Sequence, residues 1–337
     1  MKIIYLLDST MLCGGVKVVF CQARALAALG HETVVICQDG FPDWFDGRVG
    51  FIQGNIFDME ILGRFDRVVA TSPLHLLALY DQPGIREKIW HLVQGYEGGL
   101  DEVAHLKEQI VAGYQLPVPK ITVSEQLCNR LKTLFPGILC RSAGQGIETD
   151  IFYPGKAFPV ETVIISGPLA MSVKNIRAGL KAFSLLKQRY PSLELIRITA
   201  NDTQGQEESL AGPLARYHVH LTPEQVGRVV RESRGVYLGV SLPGEGFGLP
   251  AVEAMACGIP AVLSDIPAHR SFDPKDDYAR FVPVDSPLAM AQEVERLMTD
   301  TRLRRFLVKR GLEAAGKFTW SSVAIRLETI LGSGLHP

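Results

Sequence analysis

The first forty residues alternate in a way that leaves few folds open to the chain. Positions 2–7 are a nearly unbroken apolar run, Gly14 and Gly15 interrupt it, and Val16, Val19, Ala23, Leu26 and Ala27 then recur at helical spacing. Gly30 suits the end of that helix, and 33–37 is apolar again. A strand that is apolar at successive positions is buried on both faces, which is the signature of a parallel sheet covered by helices. Strand, glycine turn, helix and strand together make a βαβ unit. Further strands are expected at 49–52, 67–70, 89–93 and 120–123, with helices at 73–80, 101–113 and 125–135. The alternation restarts near residue 160. Strands are expected at 162–166, 193–199, 218–221, 236–240 and 260–264, and helices at 176–189, 223–232, 250–257 and 287–299. A length of 337 residues exceeds what one core usually serves, so the pattern predicts two α/β domains of similar build. The polar, turn-prone stretch 146–154 is the expected hinge.

Bulk properties narrow the function. Apolar residues make up 47% and charged residues 21%, an ordinary globular balance. The formal net charge of −1 gives no footprint for nucleic acid. Cys13, Cys21, Cys37, Cys128, Cys140 and Cys257 form no C-x-x-C pair and read as thiols of a reducing compartment. The opening apolar run is too short for a signal-peptide core, and no run approaches the ~20 residues of a membrane span. A cytoplasmic protein is expected. Arg302, Arg304, Arg305, Lys309 and Arg310 read as the solvated face of a late helix.

The chemistry concentrates at 244–258, where Glu245 and Glu253 stand eight positions apart around Gly246, Phe247, Gly248, Leu249 and Pro250. Proline suits a first helical turn, so Glu245 is placed in a loop and Glu253 at the start of a helix. The amides of Gly246, Phe247, Gly248 and Leu249 then sit at the positive end of a helix dipole, a setting that favours phosphate. Carboxylates beside a phosphate cradle suit a ligand that also carries hydroxyls. A nucleotide sugar has both. Elsewhere, Gly15 follows the first strand, Gln94 and Glu97 follow the strand at 89–93, and Lys174 precedes the helix at 176–189. Arg177, three positions beyond Lys174, is expected on the same helical face. The G-x-G-x-x-G of a dinucleotide site is absent from Cys13-Gly14-Gly15-Val16-Lys17-Val18, which disfavours a dehydrogenase. There is no D-x-D run and no cluster spaced to ligate a metal.

The segment from Gly244 to Gly258, followed by Ile259-Pro260-Ala261-Val262-Leu263, resembles the E-x7-E signature of the family 4 retaining glycosyltransferases. The opening from Gly14 to Ile36 is similar to theirs as well, and the resemblance extends over nearly the whole chain. It implies the GT-B fold: two Rossmann-like, doubly wound domains facing a central cleft. It also implies that the last helix crosses back onto the first domain. The expected division is an acceptor-side domain of 1–150 plus 318–337 and a donor-binding domain of 151–317. By the same resemblance, Glu245 holds sugar hydroxyls, Glu253 the ribose hydroxyls, and Lys174 the diphosphate with the 246–249 amides, Gly15 contributing from the first domain. Gln94 stands where the family often has His, near the transferred sugar. Pro168 stands where it usually has Arg, and Arg177 is the expected partial substitute.

The resemblance therefore implies transfer of a hexose or deoxyhexose from a nucleoside diphosphate sugar to a hydroxyl acceptor. Retention of configuration, no metal, no further cofactor and a role in cell-envelope glycan or glycoconjugate synthesis go with it. The acceptor is expected to be a glycan, a lipid-linked molecule or a small molecule, and peripheral contact with a membrane is compatible with that. Catalytic roles fall to Glu245, Lys174 and Gln94. The changes at Pro168 and Gln94 motivate the alternative of a nucleotide-sugar-binding protein without turnover. A GT-B sugar-nucleotide epimerase is the other.

Overall fold

The computed structural model describes residues 1–155 and 159–333, and the chain divides into two compact units. One unit is Met1–Gly146 with Thr319–Pro337, and the other is Ile147–Phe318.

In the first unit, strands β1 (Lys2–Leu6), β2 (Glu32–Cys37), β3 (Gly50–Gln53), β4 (Arg67–Ala70), β5 (Ile89–Val93), β6 (Lys120–Thr122) and β7 (Cys140–Ser142) form one parallel sheet. Their order is β3-β2-β1-β4-β5-β6-β7. β1 lies at the centre, with Ile4 opposite Val34 on one side and Val68 on the other. Its successive residues serve two cores. Ile3, Tyr5 and Leu7 pack with Val19, Phe20, Ala23, Val323 and Leu327. Ile4 and Leu6 pack with Leu62, Leu76, Leu79 and Ile89. That double burial is why the strand has no polar alternation. The chain returns at its end. Helix Trp320–Gly332 buries Val323, Leu327 and Leu331 in the same cluster as helix Gly14–Ala28.

In the second unit, β8 (Thr162–Ser166), β9 (Glu194–Thr199), β10 (Arg216–Val219), β11 (Gly235–Gly239), β12 (Ala261–Ser264) and β13 (Arg280–Val282) form a second parallel sheet, ordered β10-β9-β8-β11-β12-β13. Val163 and Ile165 pack against Ile176, Leu180 and Phe183 of helix Ile176–Arg189 and against Val294 of helix Pro287–Thr299. The Arg197–Glu207 ion pair is sealed inside this unit. Arg197 donates to both Glu207 oxygens at 2.6 and 2.8 Å and to the carbonyls of Ile165 and Gly167 at 2.7 and 2.9 Å. It fastens the carboxyl end of β8.

Three expectations shift. The helix expected at 101–113 is a 3-10 segment, Asp101–Leu106, followed by helix Lys107–Gln115, with Val103 out of helical geometry. The 3-10 segment buries no side chain, so no packed face holds it in the α form. The strand expected at 218–221 is Arg216–Val219, because His220 turns left-handed (φ 55°) and ends it. The strands Cys140–Ser142 and Arg280–Val282 were not expected, and three residues are too few to show a period. The ends of the expected domain limits include 156–158 and 334–337, which lie outside the described residues. Among the described residues, no helix is long and apolar enough to cross a membrane.

Candidate functional site

Each sheet is doubly wound. Successive strands build outward from one place, so the order reverses between β1 and β4 in the first unit and between β8 and β11 in the second. In open α/β sheets, ligands bind outside the carboxyl ends of the strands at that reversal.

In the second unit the loops leaving β8 and β11 meet there. After β8, Gly167 takes φ 119° and a short 3-10 turn, Ser172–Lys174, presents the lysine. The Lys174 stem lies along Gly167, where a Cβ would stand 3.5 Å from its Cγ. After β11, Leu242 donates its amide to the Val173 carbonyl at 2.8 Å, locking the two loops together. Lys174 Nζ then reaches Glu245 Oε2 at 2.6 Å, and Ser241 Oγ donates to the same oxygen at 2.9 Å. The lysine side chain is 21% exposed and the glutamate 10%. Burial alone would raise the Glu245 carboxyl. The charge and hydrogen bond of Lys174, the nearby His269 and the Ser241 hydroxyl outweigh it and bring the group down to about 2. Glu245 is therefore a fixed carboxylate at neutral pH, able to accept hydrogen bonds and unable to act as a proton donor.

The loop runs on into helix Leu249–Ala256, with Pro250 in its first turn and Gly248 as N-cap. Gly248 has φ 91°, and a Cβ there would lie 2.9 Å from His269 Cδ2 and 3.1 Å from its Nε2. Both conformation and space thus require glycine. A glycine N-cap has no side chain to satisfy the first helical amides, which leaves the dipole's positive end open to an anion. Glu253 is buried one turn further on. His269 is buried, which pushes it below its usual pKa, and Nδ1 donates to the Ser264 carbonyl at 3.0 Å. The carbonyl can only accept, so the proton sits on Nδ1 and Nε2 is the unprotonated nitrogen, on the ring edge beside Gly248.

The remaining expected residues fall as follows. Phe247 turns its ring inward, 5.3 Å from Phe272 and 5.2 Å from Phe318, so only its backbone is left for a ligand. Arg177 is exposed, and it does not share a helical face with Lys174. Asn175 at φ 48° breaks the chain between the 3-10 turn and helix Ile176–Arg189, so the three-residue spacing carries no geometry. Gly15 and Gln94 come together in the first unit, where Gln94 Nε2 donates to the Gly15 carbonyl at 3.0 Å. Glu97 accepts from the Tyr114 hydroxyl at 2.5 Å, and burial raises its pKa. Ser241 and Arg197 were missed. Ser241 follows a strand without any motif, and a lone Arg within the apolar stretch 193–199 was the one available signal for a buried charge. Of the late basic residues, Arg304 bonds the Leu297 and Met298 carbonyls and Arg310 pairs with Asp273 and Asp277, so the run is only partly solvated.

Two doubly wound domains of this topology define the GT-B class. In keeping with that, the chain superposes on Anabaena HepE in complex with UDP-glucose at a TM-score of 0.77, with 14% identity and coverage of 99% of this chain and 100% of that one. Residues 160–300, which contain the whole Lys174–Glu245–Glu253 arrangement, match the family described as Glycosyl transferases group 1. A phosphatidyl-myo-inositol mannosyltransferase of Mycolicibacterium smegmatis is 32% identical over 180 residues, 52% of this chain and 46% of that protein. An O-antigen chain mannosyltransferase B of Escherichia coli is 29% identical over 171 residues, 44% of this chain and 40% of that protein. The chain thus matches about half the length, or less, of these curated relatives.

Proposed function

We propose that this protein transfers a hexosyl group from a nucleoside diphosphate sugar to a hydroxyl of a glycan or lipid-linked acceptor, with retention and without a metal. The names of its relatives favour mannose as the sugar and a cell-envelope glycan or glycolipid as the product. One observation carries the reading: a lysine and an ionised glutamate bridge the strand-order reversal beside a glycine-started helix. Lys174 offers a point charge to the leaving diphosphate, and the amides of 246–249 add dipoles at the place where negative charge grows. Donors set in advance where charge develops are usually the largest catalytic contribution. Glu245, held ionised, accepts hydroxyls of the hexose, and Glu253 accepts those of the ribose. Arg177 is left with a long-range contribution, since it is exposed and off the Lys174 turn.

The test is calorimetry with uridine, guanosine, adenosine and thymidine diphosphates and their sugars, run on the wild type and on Glu253→Ala. One nucleotide is expected to bind, and the substitution to weaken it by about ten- to a hundredfold, the worth of a charge-assisted hydrogen bond. An unchanged dissociation constant removes Glu253 from the site, and no binding by the wild type removes the reading. Binding without turnover would favour the non-catalytic alternative. Conversion of the sugar without any acceptor would favour an epimerase.

A further inference from the structure

The strand-order reversal of the first unit carries a hydrogen-bonded side-chain pair of its own. Asp8 lies just beyond β1, and His75 sits in helix Pro73–Leu79, just beyond β4. Their side chains meet across the reversal, with His75 Nε2 2.8 Å from Asp8 Oδ1. The second unit repeats the arrangement: Lys174 beyond β8 meets Glu245 beyond β11 at 2.6 Å. The two pairs occupy equivalent places in the two sheets.

The burial of the first pair is one-sided. His75 is 3% exposed and Asp8 is 71% exposed. An ionised carboxylate can only accept, so Nε2 carries the proton and donates it to Oδ1. Nδ1 is then left buried, with no hydrogen-bond partner among the described residues. A buried orphan acceptor costs stability, and a surface carboxylate needs no buried histidine to stay in water. The hydrogen bond from His75 also holds the Asp8 carboxyl below its ordinary range. The loop that carries Asp8 is fixed as well. Ser9 Oγ and the Thr10 amide both donate to Asp39 Oδ2, at 2.7 and 3.0 Å, and the Thr71 hydroxyl donates to the Leu6 carbonyl at 2.6 Å. Gln94 and Gly15, joined by their hydrogen bond, follow β5 and β1 at the same edge of the sheet.

We propose that Asp8 is the acceptor-binding carboxylate of this protein, taking a hydroxyl of a sugar or cyclitol, and that His75 is its positioning residue. This rests on the transferase reading, which supplies the need for a second substrate. His75 occupies Oδ1 and fixes the carboxylate plane. The exposed part of the group is left to accept from one hydroxyl, or from two neighbouring ones, as polyols present them. In this arrangement the second unit's pair serves the donor and the first unit's pair serves the acceptor.

Saturation-transfer NMR with methyl α-D-mannopyranoside and with myo-inositol tests it on the full chain, with nucleotide calorimetry alongside. Asp8→Asn is expected to weaken the bound polyol by roughly tenfold, as a charge-assisted hydrogen bond becomes a neutral one, with nucleotide affinity unchanged. His75→Leu should act like Asp8→Asn, and His75→Gln, which restores a donor, should recover part of the affinity. A histidine that only braced the fold would lower the melting midpoint in both variants and leave polyol affinity alone. Asp8→Asn binding the polyols as the wild type does, or a wild type that binds neither, overturns the proposal and leaves the nucleotide result standing. A wild type that binds no nucleotide takes the transferase reading down, and this one with it.

Discussion

Removing the lysine from the Lys174–Glu245 pair should change how the stability of the second unit depends on pH, and with a sign that can be worked out. In the wild type the Glu245 carboxyl is held at about 2, below the ordinary value of 4.5. A depressed carboxyl contributes stability that is present above the unfolded pKa and is lost as pH falls through 4.5 toward 2. In Lys174→Ala the largest single influence, burial, is no longer opposed by the cation. The folded pKa of Glu245 then rises above its unfolded value. The variant is worst at neutral pH and recovers as Glu245 takes up a proton. Breaking a well-buried pair by removing one partner costs about 3–5 kcal/mol. Lys174 is 21% exposed, so some water remains to solvate the survivor. We expect a loss nearer to about 2 kcal/mol, which lowers the melting midpoint by roughly 4–8 °C for a unit of this size. Scanning calorimetry at pH 7, 6 and 5 on the wild type, Lys174→Ala and Lys174→Ala/Glu245→Gln reads all of this. The gap between wild type and single variant should narrow as pH falls. The double variant should show no such narrowing, because its residue 245 does not titrate. A gap that stays constant with pH, or a single variant as stable as the wild type at pH 7, would refute the reasoning.

Two further outcomes follow from packing and from the sealed ion pair. Gly248→Ala forces a Cβ into the left-handed region and to within 2.9 Å of a buried histidine ring. It should cost about 2–4 kcal/mol in urea unfolding and also weaken nucleotide binding, and full stability in that variant would mean the loop is not held as described. Arg197→Met leaves Glu207 buried without its cation and should cost about 3–5 kcal/mol, whereas Arg197→Met/Glu207→Gln should recover much of it. Equal losses in the single and double variants would show that the arginine acts through its carbonyl contacts and not through the charge.

The central strands were legible because both their faces are buried, so Lys2–Leu6 and Thr162–Ser166 read as apolar runs bounded by glycine and polar turns. Two of the edge strands, Cys140–Ser142 and Arg280–Val282, were not. Cys140–Ser142 has one neighbour and three residues, and neither composition nor period marks it. The site was legible where one segment holds it, as Gly248, Pro250 and Glu253 do within a single loop and helix. Pairings that depend on topology were out of reach. Lys174 and Glu245 are 71 positions apart and Asp8 and His75 are 67 apart, and only the strand order brings them together. Arg177 was misjudged because a spacing of three implies a shared face only when the helix is continuous, and left-handed Asn175 interrupts it. The inward packing of the Phe247 ring against Phe272 and Phe318 is not marked by the motif, and it leaves the amide, the part of this residue expected to serve a ligand, unaffected.

The return of helix Trp320–Gly332 to the first unit bears on the order in which the protein takes shape during synthesis. The second unit is a single uninterrupted stretch, Ile147–Phe318, and has all its residues once that stretch has left the ribosome. The first unit begins earlier and finishes later, because Val19, Phe20 and Ala23 wait for Val323 and Leu327 to cover them. Domains usually mature from the amino terminus onward. Here the first part to be made is the last to be closed, and for the whole time that the second unit is being synthesised it keeps an apolar helix face exposed to whatever chaperone is at hand.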